Sequence, residues 1–111
     1  MSFIDHRGMI KDLLVNTECS VTYITFKKDA VRGNHYHEHT IQFDFVLKGS
    51  LEYAQDEDRG VLYKGNWIEH LPMKKHAYKA LEDSEIVSIC FGVRKGDNYE
   101  KDVIRLEEPL L

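Results

Sequence analysis

Apolar residues recur mainly at every second position of this chain, in short runs separated by Gly, Asp, Asn and Lys. A period of two is typical of β-strands that bury one face. The pattern predicts strands at residues 21–26, 42–47, 51–54, 61–63, 67–71, 76–81 and 86–91. Short strands at this spacing predict an all-β protein, an antiparallel sandwich or jelly roll without helices. Four aromatic residues are expected in the core or in a pocket wall, namely Phe43, Phe45, Trp67 and Phe91.

The length and charge of the chain narrow its possible partners. A chain of 111 residues suits one domain, and we expect a barrel core over about residues 21–91 and a C-terminal tail over residues 96–111 that adds a strand or wraps the barrel. A formal net charge of −4 disfavours nucleic acid and acidic membranes. No apolar run approaches the roughly 20 residues that span a bilayer. Without a secretory signal or a Cys-x-x-Cys motif, the expected location is the cytoplasm.

The most informative stretch of the sequence runs from Gly33 to Gly49. His35 and His37 are separated by one residue, so on an extended strand their imidazoles project from the same face. Two nitrogen ligands of a metal, or an acid/base pair, would need this arrangement. A further histidine, His76, follows Pro72 later in the chain. We therefore expect one functional site on the face that carries the histidine pair.

These residues resemble the paired motifs of the cupin superfamily of small β-barrels. The first cupin motif has a Gly, a His-x-His pair, a Glu about five residues later and a closing Gly, and the matching residues here are Gly33, His35, His37, Gln42 and Gly49. Gln42 stands where the family has Glu. The second motif is matched by Gly65, Pro72 and His76, with a Lys where the family has Gly. The resemblance covers about residues 21–91 and implies a cupin-type antiparallel β-barrel, or double-stranded β-helix, that holds a divalent metal or a small ligand.

Within this resemblance, His35, His37, His76 and Gln42 are the candidate metal ligands. Three neutral imidazoles and one oxygen donor suit Zn, Fe, Mn, Ni or Cu. An amide in place of the usual carboxylate keeps an oxygen donor but removes a negative charge, so we expect weaker metal binding. Asp44 lies two residues beyond Gln42 on the same strand face. It is expected to supply the missing carboxylate, as a ligand, as an acceptor for an imidazole N–H, or in contact with the substrate.

A narrower resemblance is to cupins that isomerise or epimerise dTDP-linked deoxysugars without a metal. It is carried by the segment from Arg32 to His35, by Asp5-His-Arg7-Gly8 and by the tail from Tyr99 to Arg105. This resemblance implies that His35 is the base that moves a proton, that His37 assists it and that Arg32 helps to hold the diphosphate.

Such a reaction also needs a proton donor. Tyr78, which shares a strand face with His76, is a candidate catalytic phenol, and Tyr36 and Tyr53 are alternatives. Tyr53 is also a candidate substrate-binding residue.

Three classes of function therefore remain open. The first is a metal-binding cupin, enzymatic or not, that acts on or binds a small polar molecule such as a sugar. The second is the metal-free isomerase or epimerase, and the third is a non-catalytic module that binds a small ligand. His39 and His70 are expected at the surface or the rim of the barrel. A homodimer is expected, because exposed strand edges of small barrels often pair across a two-fold axis.

Overall fold

The computed structural model describes residues 2–16, 18–92 and 102–111. Within these residues the chain forms β-strands without an α-helix, and no helix has the length and apolar character needed to cross a membrane. The strands in chain order are β1 (Ser2–Asp5), β2 (Gly8–Val15), β3 (Cys19–Phe26), β4 (Val31–Tyr36), β5 (Thr40–Lys48), β6 (Ser50–Gln55), β7 (Asp58–Tyr63), β8 (Trp67–His70), β9 (His76–Ala80), β10 (Ser84–Gly92) and β11 (Ile104–Arg105). The expected all-β fold is confirmed.

The strands form two antiparallel sheets. One has the order β1-β2-β3-β10-β5-β8 and the other has the order β11-β4-β9-β6-β7. From β3 onward the chain passes repeatedly from one sheet to the other, so neighbours in sequence contribute to opposite walls of one interior. This arrangement brings side chains from distant parts of the sequence together between the sheets.

The seven strands expected from the alternation are present as β3 and β5 to β10, with ends that differ by at most three residues. Strands β1, β2, β4 and β11 are additional. Strand β2 ends in the consecutive apolar residues Leu13, Leu14 and Val15, which break the period of two and are all exposed. The expected tail begins at residue 96, and its residues 96–101 lie outside the described part of the chain. The described part of the tail contains β11 and then continues to Leu111.

One end of the interior is filled by an apolar core. Its buried members come from both sheets and are Phe26, Val46, Leu51, Leu62, Tyr78, Ala80 and Ile86. Their burial removes apolar surface from water and is the main source of stability for a barrel of this size. Buried polar side chains, among them His37, Gln42, Asp44, His70 and His76, occupy the rest of the interior.

The four aromatic residues expected in the core or a pocket wall lie elsewhere, and this expectation was wrong. Phe45, Trp67 and Phe91 are all more than two-fifths exposed, and Phe43 stacks on Trp67 with ring centroids 4.9 Å apart. The reason is the register of β5, where Gln42, Asp44 and Val46 take the inward positions and the residues between them point outward. The outer face of the six-stranded sheet is therefore rich in aromatic side chains.

A β-bulge in β4 determines which residues of that strand face the interior. The register with β9 shifts between Gly33 and His35, and both Gly33 and Asn34 have positive φ angles, of 88° and 62°. A bulge adds one residue to one strand, so residues three apart come to the same face. Arg32 and His35 consequently both line the interior, although strict alternation would separate them.

Hydrogen bonds hold the C-terminal segment, residues 102–111, against the barrel near the end of β4. The Asp102 carboxylate accepts hydrogen bonds from the backbone N–H groups of Glu38 and His39 and from the hydroxyl of Thr40, at 2.9, 3.0 and 2.6 Å. Farther along, Asn34 accepts a hydrogen bond from the backbone N–H of Leu110 at 2.8 Å. Together with the pairing of β11 and β4, these contacts place the segment next to the histidine pair.

Candidate functional site

A cavity of about 390 Å³ lies between the two sheets, and its wall includes three members of the apolar core, Phe26, Tyr78 and Ile86. Its volume is within the range of small-molecule sites in proteins. The six-stranded sheet contributes Gln42, Ser88 and Cys90 to the wall, and the other sheet contributes Arg32 and Tyr78. The cavity also contains the three histidines expected to act together, which are His35, His37 and His76.

The three imidazoles form one compact cluster. The ring centroid of His35 lies 4.9 Å from that of His37 and 4.7 Å from that of His76, and the third pair is 5.5 Å apart. One nitrogen of each ring lies within 4.8 Å of the corresponding nitrogens of the other two. His37 and His76 are buried, whereas His35 is partly exposed. One nitrogen of each ring is thus close enough to the other two for the three to bind a single ion.

Backbone carbonyls determine which nitrogen atoms carry lone pairs. His37 Nδ1 lies 2.7 Å from the carbonyl oxygen of Asp102, and His76 Nδ1 lies 3.2 Å from that of Lys74. A carbonyl oxygen only accepts hydrogen bonds, so each Nδ1 carries the proton and each Nε2 is left with a lone pair. His76 Nε2 and His35 Nδ1 are buried without a hydrogen-bond partner. Buried nitrogens that lack a hydrogen-bond partner need an explanation, and the role of a metal ligand would provide one.

Gln42 and His37 face one another through atoms that both accept hydrogen bonds. Gln42 Oε1 lies 2.9 Å from His37 Nε2, and Gln42 Nε2 donates to Asp44 Oδ2 at 2.8 Å. The Asp44 carboxylate thereby turns the amide so that its oxygen points at the imidazole lone pair. Two facing acceptors repel each other unless a proton or a cation lies between them. A metal ion bound by both atoms would remove this repulsion.

Asp44 is the end of a directional chain of hydrogen bonds behind the cavity. The Tyr78 hydroxyl donates a short hydrogen bond to Asp44, and His70 Nε2 donates to the Tyr78 oxygen at 2.6 Å. Gln55 Nε2 completes the chain at 3.1 Å from His70 Nδ1. Burial raises the pKa of Asp44, but hydrogen bonding with His70 and Tyr78 outweighs it and holds the pKa below its ordinary value. Asp44 is therefore a buried carboxylate that stays charged.

Burial lowers the pKa of two histidines, whereas it raises the pKa of a carboxyl group such as Asp44. Burial, followed by smaller contributions from the neighbouring His37 and from the charge of Arg105, lowers the pKa of His35 to about 4. Burial and the neighbouring His70 lower the pKa of His76 well below its ordinary value. His35 and His76 are consequently neutral at pH 7, which is the state in which an imidazole binds a metal.

The structure brings most of the expected site residues into one place. Arg32 lines the cavity, and Asp44 lies directly behind Gln42. Tyr78 lines the cavity as well, although its hydroxyl is committed to Asp44 and burial raises its pKa well above the ordinary value. Tyr36 and Tyr53 do not line the cavity. Tyr53 instead packs against the apolar core, because it lies two residues after the core residue Leu51 on the same face of β6.

The expectation that His70 lies at the surface was wrong. Its side chain is fully buried, and its ring stacks on that of His76 with centroids 4.0 Å apart. The sequence contained a signal for this burial, since His70 lies two residues after the inward residue Ile68 and therefore on the same face of β8. What the sequence could not provide is the strand pairing that places His70 opposite Gln42. His39 is exposed, as expected.

Comparisons with solved structures agree on the fold. KdgF from Halomonas sp. superposes with a TM-score of 0.74 at 22% identity, covering 79% of this chain and 81% of the other. Oxalate decarboxylase from Bacillus subtilis gives a TM-score of 0.82 at 16% identity, over 98% of this chain but 32% of the other. A sugar phosphate isomerase of the cupin superfamily from Silicibacter pomeroyi gives 0.66 at 16% identity, over 75% and 58% of the two chains. Neither a protein-family model nor a curated protein sequence matches the chain.

The neutral buried histidines predict a specific pH dependence of stability. In metal-free protein, the free energy of unfolding should fall as the pH is lowered from about 6.5 to about 4. The unfolded chain binds protons on its histidines in this range whereas folded His35 and His76 do not, so acid favours unfolding by up to about 1.4 kcal/mol per pH unit for each group. Urea unfolding in the presence of a chelator measures this slope.

A matched pair of variants separates this effect from general acid sensitivity. His35→Gln should reduce the slope of stability against pH, while the exposed His39→Gln should leave it unchanged. Equal slopes in the wild-type protein and His35→Gln would contradict the assignment.

Proposed function

We propose that this protein, which has the cupin fold, binds a divalent transition metal in its barrel and uses the adjoining cavity to bind or convert a small polar molecule, sugars included. The proposed ligands are His35, His37, His76 and Gln42. The observation that carries the proposal is the 2.9 Å approach of His37 Nε2 and Gln42 Oε1, two acceptors that each have a hydrogen-bond partner on the opposite side. No proton is left to join them when the imidazole is neutral, so a cation is the natural partner of both.

The donor set is consistent with Zn, Fe, Mn, Ni or Cu. Oxalate decarboxylase from Bacillus subtilis, which shares the fold, has Mn(II) centres. When bound, such a metal would polarise a carbonyl or activate water or dioxygen. The chain's own residues would hold and orient the ligand, and the buried charge of Asp44 would offset part of the metal's charge through the Gln42 amide.

The metal-free isomerase is the second candidate, and a sugar phosphate isomerase is among the proteins that share the fold. That function needs His35 as a base and a tyrosine that can give up a proton. The hydroxyl of Tyr78 already donates to Asp44, and Tyr36 and Tyr53 do not line the cavity. The geometry therefore supports the metal site better than the proton-transfer pair.

Metal analysis tests the proposal directly. Untagged protein purified without chelator, and then incubated in turn with Mn, Fe, Ni, Cu and Zn, should bind about one equivalent per chain. His37→Ala should lose this metal because it removes one lone pair of the cluster. The exposed histidine variant His39→Ala should retain it.

Circular dichroism of each variant would show that the β fold persists. Stoichiometric metal in His37→Ala, or no metal in the wild-type protein under any of these conditions, would contradict the proposal. The latter result would favour the metal-free isomerase, in which His35→Ala should abolish turnover of a dTDP-sugar.

A double-mutant cycle tests the orientation of Gln42. Gln42 and Tyr78 donate to the same oxygen of Asp44. Asp44→Asn should weaken metal binding by about 10- to 100-fold, because it removes the buried negative charge behind Gln42 and weakens the hydrogen bond that orients the Gln42 amide. Gln42→Glu in the same chain should restore binding, since the introduced carboxylate would bring back the lost negative charge next to the metal. Competition with a chelating dye measures the four affinities.

The single variant Gln42→Glu completes the double-mutant cycle. It places two carboxylates at the 2.8 Å contact and should destabilise the metal-free protein, which denaturant unfolding would report. Independent, additive effects of the two substitutions would refute the proposed orientation.

We also propose that the protein is a homodimer that works in the cytoplasm, where Cys19 and Cys90, which form no disulfide, would stay reduced. A second copy would cover the exposed aromatic face, on which Phe45, Trp67 and Phe91 lie on three adjacent strands, because a self-complementary contact hides both copies of the patch. Phe45→Lys should then halve the mass measured by sedimentation equilibrium, whereas Val61→Lys on the other sheet should not. A wild-type monomer would contradict the proposal.

A further inference from the structure

The wall of the cavity is cationic although the chain as a whole carries a net charge of −4. Arg7, Arg32 and Arg105 line the same cavity as the three histidines. Among the described residues that line it, no Asp or Glu side chain is present. The site therefore concentrates positive charge in a protein whose remaining surface is acidic, and such focusing favours an anionic ligand.

The most buried of these arginines has an incomplete counter-ion. Arg32 is only 7% exposed, and the nearest carboxylate oxygen, on Asp5, lies 4.0 Å from its Nη2. That carboxylate is already bound by Arg7, through Nε at 2.9 Å and Nη2 at 2.6 Å. One carboxylate thus serves two guanidinium groups. A buried charge is costly unless it is paired, so Arg32 is a position where an added anion would be stabilising.

The remaining contacts of Arg32 do not supply a second negative charge. Its Nη2 donates to the carbonyl of Thr25 at 3.2 Å, its guanidinium lies 5.5 Å above the ring of Phe26, and its Nε is buried without a partner. These contacts fix the plane of the guanidinium against the cavity wall. The bulge at Gly33 then keeps Arg32 on the same face of β4 as His35, so a ligand in the cavity can reach both.

Arg105 adds a second cation beside the histidines. Its backbone pairs with that of His35, which places it at the rim of the cavity, and its charge contributes to the low pKa of His35. Within residues 2–16, 18–92 and 102–111, no carboxylate forms an ion pair with Arg105. Arg32 thus lies three residues before His35 on β4, and Arg105 lies next to His35 on the neighbouring strand β11.

We propose that the small molecule bound in this cavity is a carboxylic acid whose carboxylate pairs with Arg32 and Arg105, while its other oxygen atoms reach the histidine cluster. The second of these contacts rests on the proposed metal function, but the first does not. The planar fork of a guanidinium matches the two oxygens of a carboxylate. A sugar acid or an oxo acid has both the carboxylate and the additional oxygen atoms that the arrangement requires.

A phosphate is the less favoured anion on structural grounds. Phosphate sites commonly use the backbone N–H groups of a helix N-terminus or a glycine-rich nest, together with lysine. The described residues of the cavity wall come from strands and their connections, and no lysine is among them. A guanidinium fork also suits a phosphate, but the described cavity wall adds neither the lysine nor the helix N-terminus that commonly completes a phosphate site.

The test compares carboxylates with neutral and phosphorylated counterparts by isothermal titration calorimetry. The probes are malonate, 2-oxoglutarate and glucuronate, with glycerol, glucose and glucose 6-phosphate as comparisons. We expect at least one carboxylate to bind at least tenfold more tightly than the neutral probes, and we expect Arg32→Gln to remove this preference. Arg59→Gln is the matched control, because among the described residues its guanidinium donates to backbone carbonyls alone and does not line the cavity.

Two further variants keep the inference testable if Arg32→Gln does not fold. Arg32→Lys keeps the charge but loses the fork, and Arg105→Gln changes an exposed side chain. Both should weaken carboxylate binding by severalfold while thermal unfolding of Arg105→Gln stays that of the wild type. The inference is overturned if no carboxylate is preferred to the neutral probes, if glucose 6-phosphate binds most tightly, or if all three arginine variants retain the preference.

The metal content of the same samples separates this inference from the proposed function. A carboxylate preference that depends on Arg32 in protein that binds no metal would refute the metal proposal and support the anion subsite. Stoichiometric metal without any carboxylate preference would support the metal proposal and refute the anion subsite.

Discussion

A single buried carboxylate, that of Asp44, sets the direction of the hydrogen bonds around the site. Because a carboxylate only accepts, both Tyr78 and Gln42 must donate to it, and each then presents an acceptor on its other side. For Tyr78 the acceptor is satisfied by His70. For Gln42 the acceptor is the amide oxygen, which is left facing the lone pair of His37. The opposed acceptors that indicate a cation site thus follow from one charge placed behind them.

This arrangement also explains why an amide can occupy the position where the cupin motif has Glu. A carboxylate at residue 42 would lie against Asp44 at the 2.8 Å contact, and two buried like charges at that distance are strongly unfavourable. In this protein the negative charge lies on Asp44, which is separated from the proposed metal by the Gln42 amide, and not on the ligand itself. We expect this site to retain a higher effective charge at the metal than a site with a direct carboxylate, which suits the binding of an anionic substrate.

The sequence was sufficient to predict the fold and the histidine cluster but not the supporting groups. Alternation and the cupin-like motifs located seven strands and the three histidines, because both signals depend on local spacing. His70 and Arg105 could not be placed in this way. The role of His70 depends on the pairing of β8 with β5, and that of Arg105 depends on the pairing of β11 with β4. Exposed aromatic residues such as Trp67 were misplaced because hydrophobicity alone does not distinguish the two faces of a sheet.

The C-terminal segment makes the histidine cluster dependent on the completed fold. The Asp102 carbonyl holds the proton of His37 on Nδ1, and its carboxylate binds the turn that follows β4. Only in this tautomer does His37 offer the Nε2 lone pair that faces Gln42. A cation at that lone pair and the docked segment require the same tautomer, so each stabilises the other by an equal free energy. If a cation binds there as proposed, the segment that carries Arg105 would be held in place most firmly when the histidine cluster is engaged, which would couple the proposed carboxylate contact to the proposed metal site.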